Sequence, residues 1–538
     1  MADSIAFSYI PASIKTPGVY VESVAVAQPG ATDRPSLIFG NRLASGTVAA
    51  NTLTTVADAA EAELKFGIGS VLAQACIAYL ANDANPRPLY AMPLADGAGS
   101  AAISVIGLTG PATGSGVLHL YIAGQYVPIE VVSGETADNV ATKIRAALGI
   151  NEAAAVAAGS RVPVTAAGAL AAVILTARNV GIIGNQIDIR LNYAGAPAEN
   201  NPAGIAITEI PAQPGTTVNK IMLGTGAVGS ALGAGQPTLT TAMLNILDRR
   251  YTFISHPWDD GAAGTGSLQL FKDEMADNTS GRWGPNQMTY GHVFGAKVAT
   301  YVDLNTFATG ATGMKQDPHY SCFGIEGCPN PPWEIAGAFA GAAAVSFRAS
   351  PRKPMGGLRL IGIKAPHPID QFTKTERELL LDNGITVPTI STSGEVYILR
   401  AITSYFENPQ GGAEDQWLDV STCFKLDYFL TELKAMFDSI CQGKNLADDG
   451  TLAANAADVI TANAVRGQLF GFYDRMELEG VVENGAVFRA LAKVLRNALD
   501  PNRLDLFCPP DLVNDCLILA IQNQWRLAYT AAEKALAA

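Results

Sequence analysis

The stretch that most constrains the fold is the run from Tyr251 to Phe294. Tyr251 to Ser255 is apolar and β-leaning, and it ends at the turn formers Pro257, Asp259, Asp260 and Gly261. Leu268, Phe271 and Met275 then fall at i, i+3 and i+7, one face of a helix. A second short apolar run through Val293 and Phe294 follows Gly284-Pro285. A strand, a helix and a strand in that order predict a mostly parallel sheet with helices packed on it. The expected class is therefore α/β and α+β, multidomain.

The rest of the chain divides around this unit. Residues 25–95 and 204–390 read as one α/β core. Pro35 to Gly40 is a buried strand, Val71 to Leu80 carries a helical stripe that includes Cys76, and Leu89 to Met92 is a strand. Residues 96–203 differ: Gly, Ala, Ser and Thr dominate, and alternating strands at Val117–Ile122 and Tyr126–Val132 flank a hairpin turn at Gly124-Gln125. This is expected to be an inserted β-rich domain. Thr373 and Glu376 form a capping-box pattern opening a helix. Residues 391–538 read as a last α+β domain. It begins with a strand from Glu395, and Leu426, Phe429, Leu430, Leu433, Met436, Phe437 and Ile440 lie at helical spacing. Leu504–Cys508 and Cys516–Ile521 are β-type runs. Residues 1–24 form an extended arm in which Val19, Tyr20, Val21 and Glu22 follow a Pro-Gly turn; so short a strand has to pair with a sheet.

Composition narrows the function. The 538 residues are 48% hydrophobic and 16% charged, below the usual about 25%, which suits a chain that buries surface against copies of itself. A net charge of −13 argues against nucleic acid or an anionic membrane as the main partner. Seven scattered Cys do not form a disulfide framework. The start lacks a secretory signal, and the most apolar run, Ala338–Val345, is far short of the roughly 20 residues of a membrane span. Folding in the cytoplasm is expected.

No motif demands catalysis. Gly224, Gly226 and Gly229 fit GxGxxG, but the residues after them include Pro237 and more glycines, so a loop replaces the helix that a dinucleotide site needs. Cys322 and Cys328 lack a second ligand pair for zinc. His256, Asp259 and Asp260 follow a strand end, where α/β enzymes place catalytic groups, yet no nucleophile elbow accompanies them. No cofactor, metal or catalytic residue is expected.

Several segments carry a resemblance. PGVYVE in the arm, ARNVGIIGNQIDIRLNY in the insertion, GIEGCPNPPWEIAGAFAG and TERELLLDNGI in the core, and LDVSTCFKLDYFL, KNLADDG and CPPDLVND toward the end together resemble contractile-tail sheath proteins of Mu-like phages, in order and across nearly the whole chain. The resemblance implies a subtilisin-like-fold core and a structural subunit rather than an enzyme. It implies stacked helical rings around a tail tube, linked through exchanged N- and C-terminal strands, and contraction that drives the tube through the host envelope. Partners would be further copies, the tail tube protein, and baseplate and tail terminator proteins. The place would be the virion tail, assembled in the host bacterial cytoplasm. The inter-subunit strands would be Val19, Tyr20, Val21 and Glu22 at one end and Cys516, Leu517, Ile518 and Leu519 at the other. Lys425, Lys434 and Lys444 mark a helix that is either an ordinary core helix with solvated lysines or one whose polar face meets an acidic tube. The competing readings are a tail-associated α/β-fold hydrolase and a non-contractile tube or capsid-like protein.

Overall fold

The computed structural model describes residues 34–86, 88–212, 219–260, 266–310 and 314–535. Val19, Tyr20, Val21 and Glu22 lie outside the described residues.

The run that organises the sequence folds as strand Phe253–Ser255, helix Ser267–Met275 and strand His292–Val298, with the two strands parallel and Ile254 opposite Val293. They sit inside a nine-stranded sheet. Its spatial order is Arg359–Lys364, Glu395–Arg400, Ile385–Ile390, Tyr320–Ile325, His292–Val298, Phe253–Ser255, Ser36–Asn41, Leu89–Leu94 and Thr54–Val56. The strands from Ile385–Ile390 to Leu89–Leu94 are parallel, and each strand outside them is antiparallel to its inner neighbour.

A parallel sheet has to be covered on both faces, and its strands are apolar on both. Ser36–Asn41 is buried along its whole length. Leu37 and Phe39 point into a core with Phe271, Leu304 and Leu380, while Ile38 joins Leu72 and Phe339 on the other side. The second face is covered by two helices, Val71–Asn82 and Pro332–Ala349. They approach closely because Pro332–Ala349 presents glycines. A Cβ on Gly337 would stand 2.4 Å from the Ala75 carbonyl oxygen, and one on Gly341 2.6 Å from that of Tyr79.

The insertion consists of two four-stranded sheets. One is ordered Ala206–Ile207, Ile103–Thr109, Ala172–Ala177, Val164–Ala167 and the other Asn219–Met222, Asp188–Leu191, Gly116–Ile122, Gln125–Val131. Helix Ala137–Leu148 buries Val140, Ile144 and Leu148 against them. The hairpin turns on Ala123 and Gly124, at φ 49° and 73°, as a two-residue turn with two positive φ angles requires.

Two expected boundaries are corrected. The insertion does not end at 203. Ala206–Ile207 and Asn219–Met222 pair with its strands, and the loop beyond them bridges back, Ala231 to Ile103 and Ala234 to Ser100. The glycines at 224, 226 and 229 lie in that loop with positive φ, and no helix follows until Thr240. The core likewise does not end at 390, because Glu395–Arg400 is hydrogen-bonded between Ile385–Ile390 and Arg359–Lys364. Alternation marks a strand but not the sheet it joins, so both boundaries follow from pairing alone.

The last part contains helices Val420–Cys441, Ala462–Leu478 and Gly485–Leu491 and the antiparallel pair Lys493–Arg496 with Leu504–Phe507. Its own core gathers Phe429, Leu469, Tyr473, Met476, Phe488 and Val494.

Three histidines are sealed in the main core. The His256 ring stacks on Phe271 with centroids 4.2 Å apart, His319 stacks on Trp283 at 4.3 Å, and His292 Nε2 meets Ser321 Oγ at 2.8 Å. Burial pushes His256 and His292 down to about 3 and His319 well below its usual 6.5. All three are neutral in the fold but become charged in the unfolded chain below 6.5, so their stabilisation is complete above that value and is lost as pH falls through it. Asp317 and Glu334 act in the opposite sense. Burial raises them to about 6 and about 7, so below those values the fold holds protons that the unfolded chain has released. Burial also raises Asp188 and Glu326, so the buried carboxylates offset the loss that the histidines cause on acidification. H256F is expected to lessen the fall, or steepen the rise, of the urea unfolding midpoint between about pH 6.5 and pH 5 relative to the wild type; the same pH dependence in both proteins would contradict a neutral buried His256.

Candidate assembly surface

Helix Val420–Cys441 joins the central sheet to the last domain. Near its start, Phe424 lies against Phe253 and Phe347, with centroids 5.4 and 4.8 Å apart. Further on, Phe429 meets Phe472 at 5.2 Å, and Leu433, Met436 and Phe437 pack on the last domain's core. The helical spacing in the sequence therefore serves two cores in succession.

The same helix holds the roots of both chain ends. Asp427, fully buried, accepts hydrogen bonds from Arg34 Nη1 at 2.9 Å and from Arg250 Nη2. The Arg34 guanidinium also lies 4.4 Å over the Phe347 ring. Arg34 thus fixes the place where the N-terminal segment enters the fold. At the other end, Lys425 Nζ donates to the Val513 carbonyl at 2.7 Å and to the Asp515 carboxylate, which also accepts from Ser421 Oγ. The Lys425 and Asp515 side chains are nearly inaccessible. A buried pair of this kind adds little net stability but is costly to break on one side, so it fixes position.

This overturns the expectation for Lys425. It does not lie on the polar face of the helix but points inward to a partner 90 residues along the chain, a pairing that helical periodicity does not encode. Lys434 and Lys444 do lie at the surface. Lys434 pairs with Asp438 at 2.6 Å, and Lys444 donates to the Ala457 carbonyl at 2.7 Å. Exposed pairs of this kind are worth only about 0–1 kcal/mol, so an incoming acidic surface can replace them.

Beyond Asp515 the expected strand is absent within the subunit: from Val513 to Arg526 the chain has no helix or strand. Cys516, Leu517, Ile518 and Leu519 are exposed, with Ile518 at 85%. Ile521, Trp525 and Leu527 continue the apolar series, Leu527 at 95%. Fully burying side chains of this size is worth roughly 1.5–3 kcal/mol each, which makes the segment a strand-like surface without a partner. Near its root, the antiparallel pair Lys493–Arg496 and Leu504–Phe507 has only two strands and leaves Leu495 and Phe507 exposed. A two-stranded ribbon is marginal by itself.

The residues that could have suggested an enzyme do not converge on a reactive centre. His256 is enclosed by Phe271, Trp258 and Tyr320, Asp259 pairs with Lys297, and Asp260 accepts from the Ser267 amide at 3.0 Å. Burial raises the Cys322 and Cys328 thiols to about 12. Among the described residues no group of three or more His, Cys, Asp or Glu is placed to hold a metal ion, and no helix is long and apolar enough to cross a membrane.

The chain is similar to several known proteins. The family described as phage tail sheath protein central domain matches residues 233–404. A Mu-like prophage FluMu tail sheath protein of Haemophilus influenzae is 28% identical over 97% of this chain and 100% of its own length. Among solved structures, a sheath tail protein from Listeria innocua is 13% identical, covers 90% of this chain and 93% of its own, and has a TM-score of 0.43. The helical sheath of the anti-feeding prophage in its contracted state is 10% identical, covers 95% and 100%, and has a TM-score of 0.48. At such scores the likeness in structure is loose, and the assignment rests on the sequence matches. Residues 233–404 match the phage tail sheath protein central domain, and the chain along nearly its whole length is similar to a Mu-like prophage tail sheath protein.

Proposed function

We propose that the chain polymerises as stacked helical rings around a tail tube, each subunit tied to its neighbours by strands from its two ends, and that the sheath contracts to drive the tube through a host envelope. The observation that supports this most is the segment after Asp515: an apolar, strand-like stretch with no strand partner among the described residues, rooted by a buried ion pair. Its pairing surface is the two-stranded ribbon of the neighbour's last domain, where added main-chain bonds complete a sheet. Val19, Tyr20, Val21 and Glu22 are the matching strand at the other end, and Arg34 sets their point of departure.

Strand addition fixes which subunits are neighbours while the connecting segments bend. The cores can then repack into a denser array without separating, and the work comes from the difference between two packings of the same interfaces. The nine-stranded sheet serves as the rigid core, in line with the subtilisin-like fold that the resemblance implies. Lys434 and Lys444 are the remaining candidates for contact with an acidic tube protein; baseplate and tail terminator proteins would close the two ends. The site of action is the virion tail, with assembly in the host bacterial cytoplasm. A tail-associated hydrolase has no observation in its favour.

Two deletions test the reading, one of residues 1–24 and one of residues 516–538. Each is expected to leave a folded subunit; the deletion of 516–538 removes no described residue of the three cores, and its thermal unfolding should match that of the full chain. By negative-stain electron microscopy neither should form rings or tubes under conditions in which the full chain does. Tubes of normal length from either deletion would contradict the strand linkage.

A further inference from the structure

The central sheet ends on Arg359–Lys364, which among the described strands is hydrogen-bonded to Glu395–Arg400 alone. Its outer side is not left open. Asn82, the last residue of helix Val71–Asn82, donates through Nδ2 to the Ile361 carbonyl at 3.0 Å and accepts through Oδ1 from the Ile361 amide at 2.8 Å. Asn330, just before helix Pro332–Ala349, repeats the pattern. Its Oδ1 accepts from the Lys364 amide at 2.8 Å, and its Nδ2 reaches the Gly362 carbonyl at 3.4 Å. A carboxamide carries one acceptor oxygen and an NH₂ donor, so each asparagine offers the strand what a neighbouring backbone would offer. Both are held in place: Asn82 also donates to Ala78 O at 2.9 Å, and Asn330, buried, donates to Glu334 at 2.7 Å.

The edge would otherwise be receptive. A cleft of about 290 Å³ runs beside it, lined by Ile77, Ala78, Ala81, Ile361 and Ile363, which would seat the apolar side chains of an added strand. At the opposite edge the strand Thr54–Val56 has only three residues, and Lys65 Nζ donates to the Thr55 carbonyl at 2.7 Å. The ribbon of the last domain differs. Among the described residues no side chain hydrogen-bonds the main chain of Lys493–Arg496 or Leu504–Phe507, and Leu495 and Phe507 stand 61% and 57% exposed. Exposed sheet edges invite strand addition unless something blocks them.

We propose that Asn82 and Asn330 are specificity-determining residues for assembly: their side chains occupy the main-chain bonding positions at the edge of the central sheet and so confine strand addition to the ribbon of the last domain. The inference rests on the strand-exchange reading above. It explains how a chain end carrying Leu517, Ile518, Leu519 and Ile521 avoids extending the largest sheet in the molecule, which would divert subunits into irregular aggregates.

The test uses the full chain, at a concentration below self-assembly, and a synthetic peptide of residues 514–529 bearing a photoreactive group at its N-terminus. With the wild-type chain, crosslinks are expected within 493–508 and none within 358–364. With N82A/N330A, crosslinks within 358–364 should appear, and sedimentation should show irregular larger species. An unchanged crosslink map in the double variant overturns the proposal, as do crosslinks to 358–364 in the wild type. If the wild type labels neither region and the double variant labels 358–364, the edge guard stands and strand addition at the ribbon falls. Asn330 also supports Glu334, so N82A alone, at the accessible end of its helix, carries the same test with the fold intact and should give partial labelling of 358–364; no labelling there counts against the proposal.

Discussion

Every main-chain donor and acceptor in a sheet has to be paired, and that constraint sorts this molecule into a finished part and an unfinished one. The central parallel sheet is finished. Its faces are covered by helices, closely enough on one side that Gly337 and Gly341 leave no room for a side chain. Its edges are a three-residue strand and a strand met by asparagine side chains. The segment after Asp515 is unfinished: strand-like in sequence, apolar, and without a ladder of its own. On the proposed reading, copies of the same chain complete it.

Helix Val420–Cys441 connects the two parts mechanically. Asp427 takes Arg34 and Arg250, while Lys425 and Ser421 take Asp515. Removing charges from water at both places is expensive, and a hydrophobic substitute would stabilise the fold at least as well. What the ion pairs supply is direction. They fix where each chain end leaves the body of the subunit, so force on either end is delivered to a helix packed on the central sheet and on the last domain. In the proposed sheath, a subunit that stays linked while its body changes packing would use such fixed roots and free segments beyond them.

Much of the fold was legible in the sequence because it rests on local rules. The Thr373–Glu376 capping box is present in both directions, with Thr373 N donating to Glu376 at 2.7 Å. The hairpin, which turns on Ala123-Gly124, one residue before the expected Gly124-Gln125, and the helical stripe holding Cys76 are likewise short-range patterns. What was not legible depends on pairing between distant residues. Ala206–Ile207 and Asn219–Met222 belong to the insertion, and Glu395–Arg400 to the central sheet, through strand register alone. Lys425 looked like a surface lysine because its partner Asp515 lies far along the chain, and Arg34 and Asp427 are separated further still. Asn82 and Asn330 carry no sequence signal for their task, since an asparagine near a helix end ordinarily caps the helix. The C-terminal run Cys516–Leu519 reads as a strand in sequence but forms none in the subunit, because nothing in its local pattern says which surface it pairs with.

Amide hydrogen exchange across residues 513–529, compared between dispersed full-length subunits and assembled tubes of the same chain, tests the central claim most directly. The account predicts fast exchange throughout 516–526 in the dispersed subunit, where that segment has no ladder, and alternating slow exchange there in the tubes, accompanied by new protection in Lys493–Arg496 or Leu504–Phe507. Exchange in the assembled state as fast as in the dispersed one would contradict it, because the subunits would then be joined without the strand that each leaves unpaired.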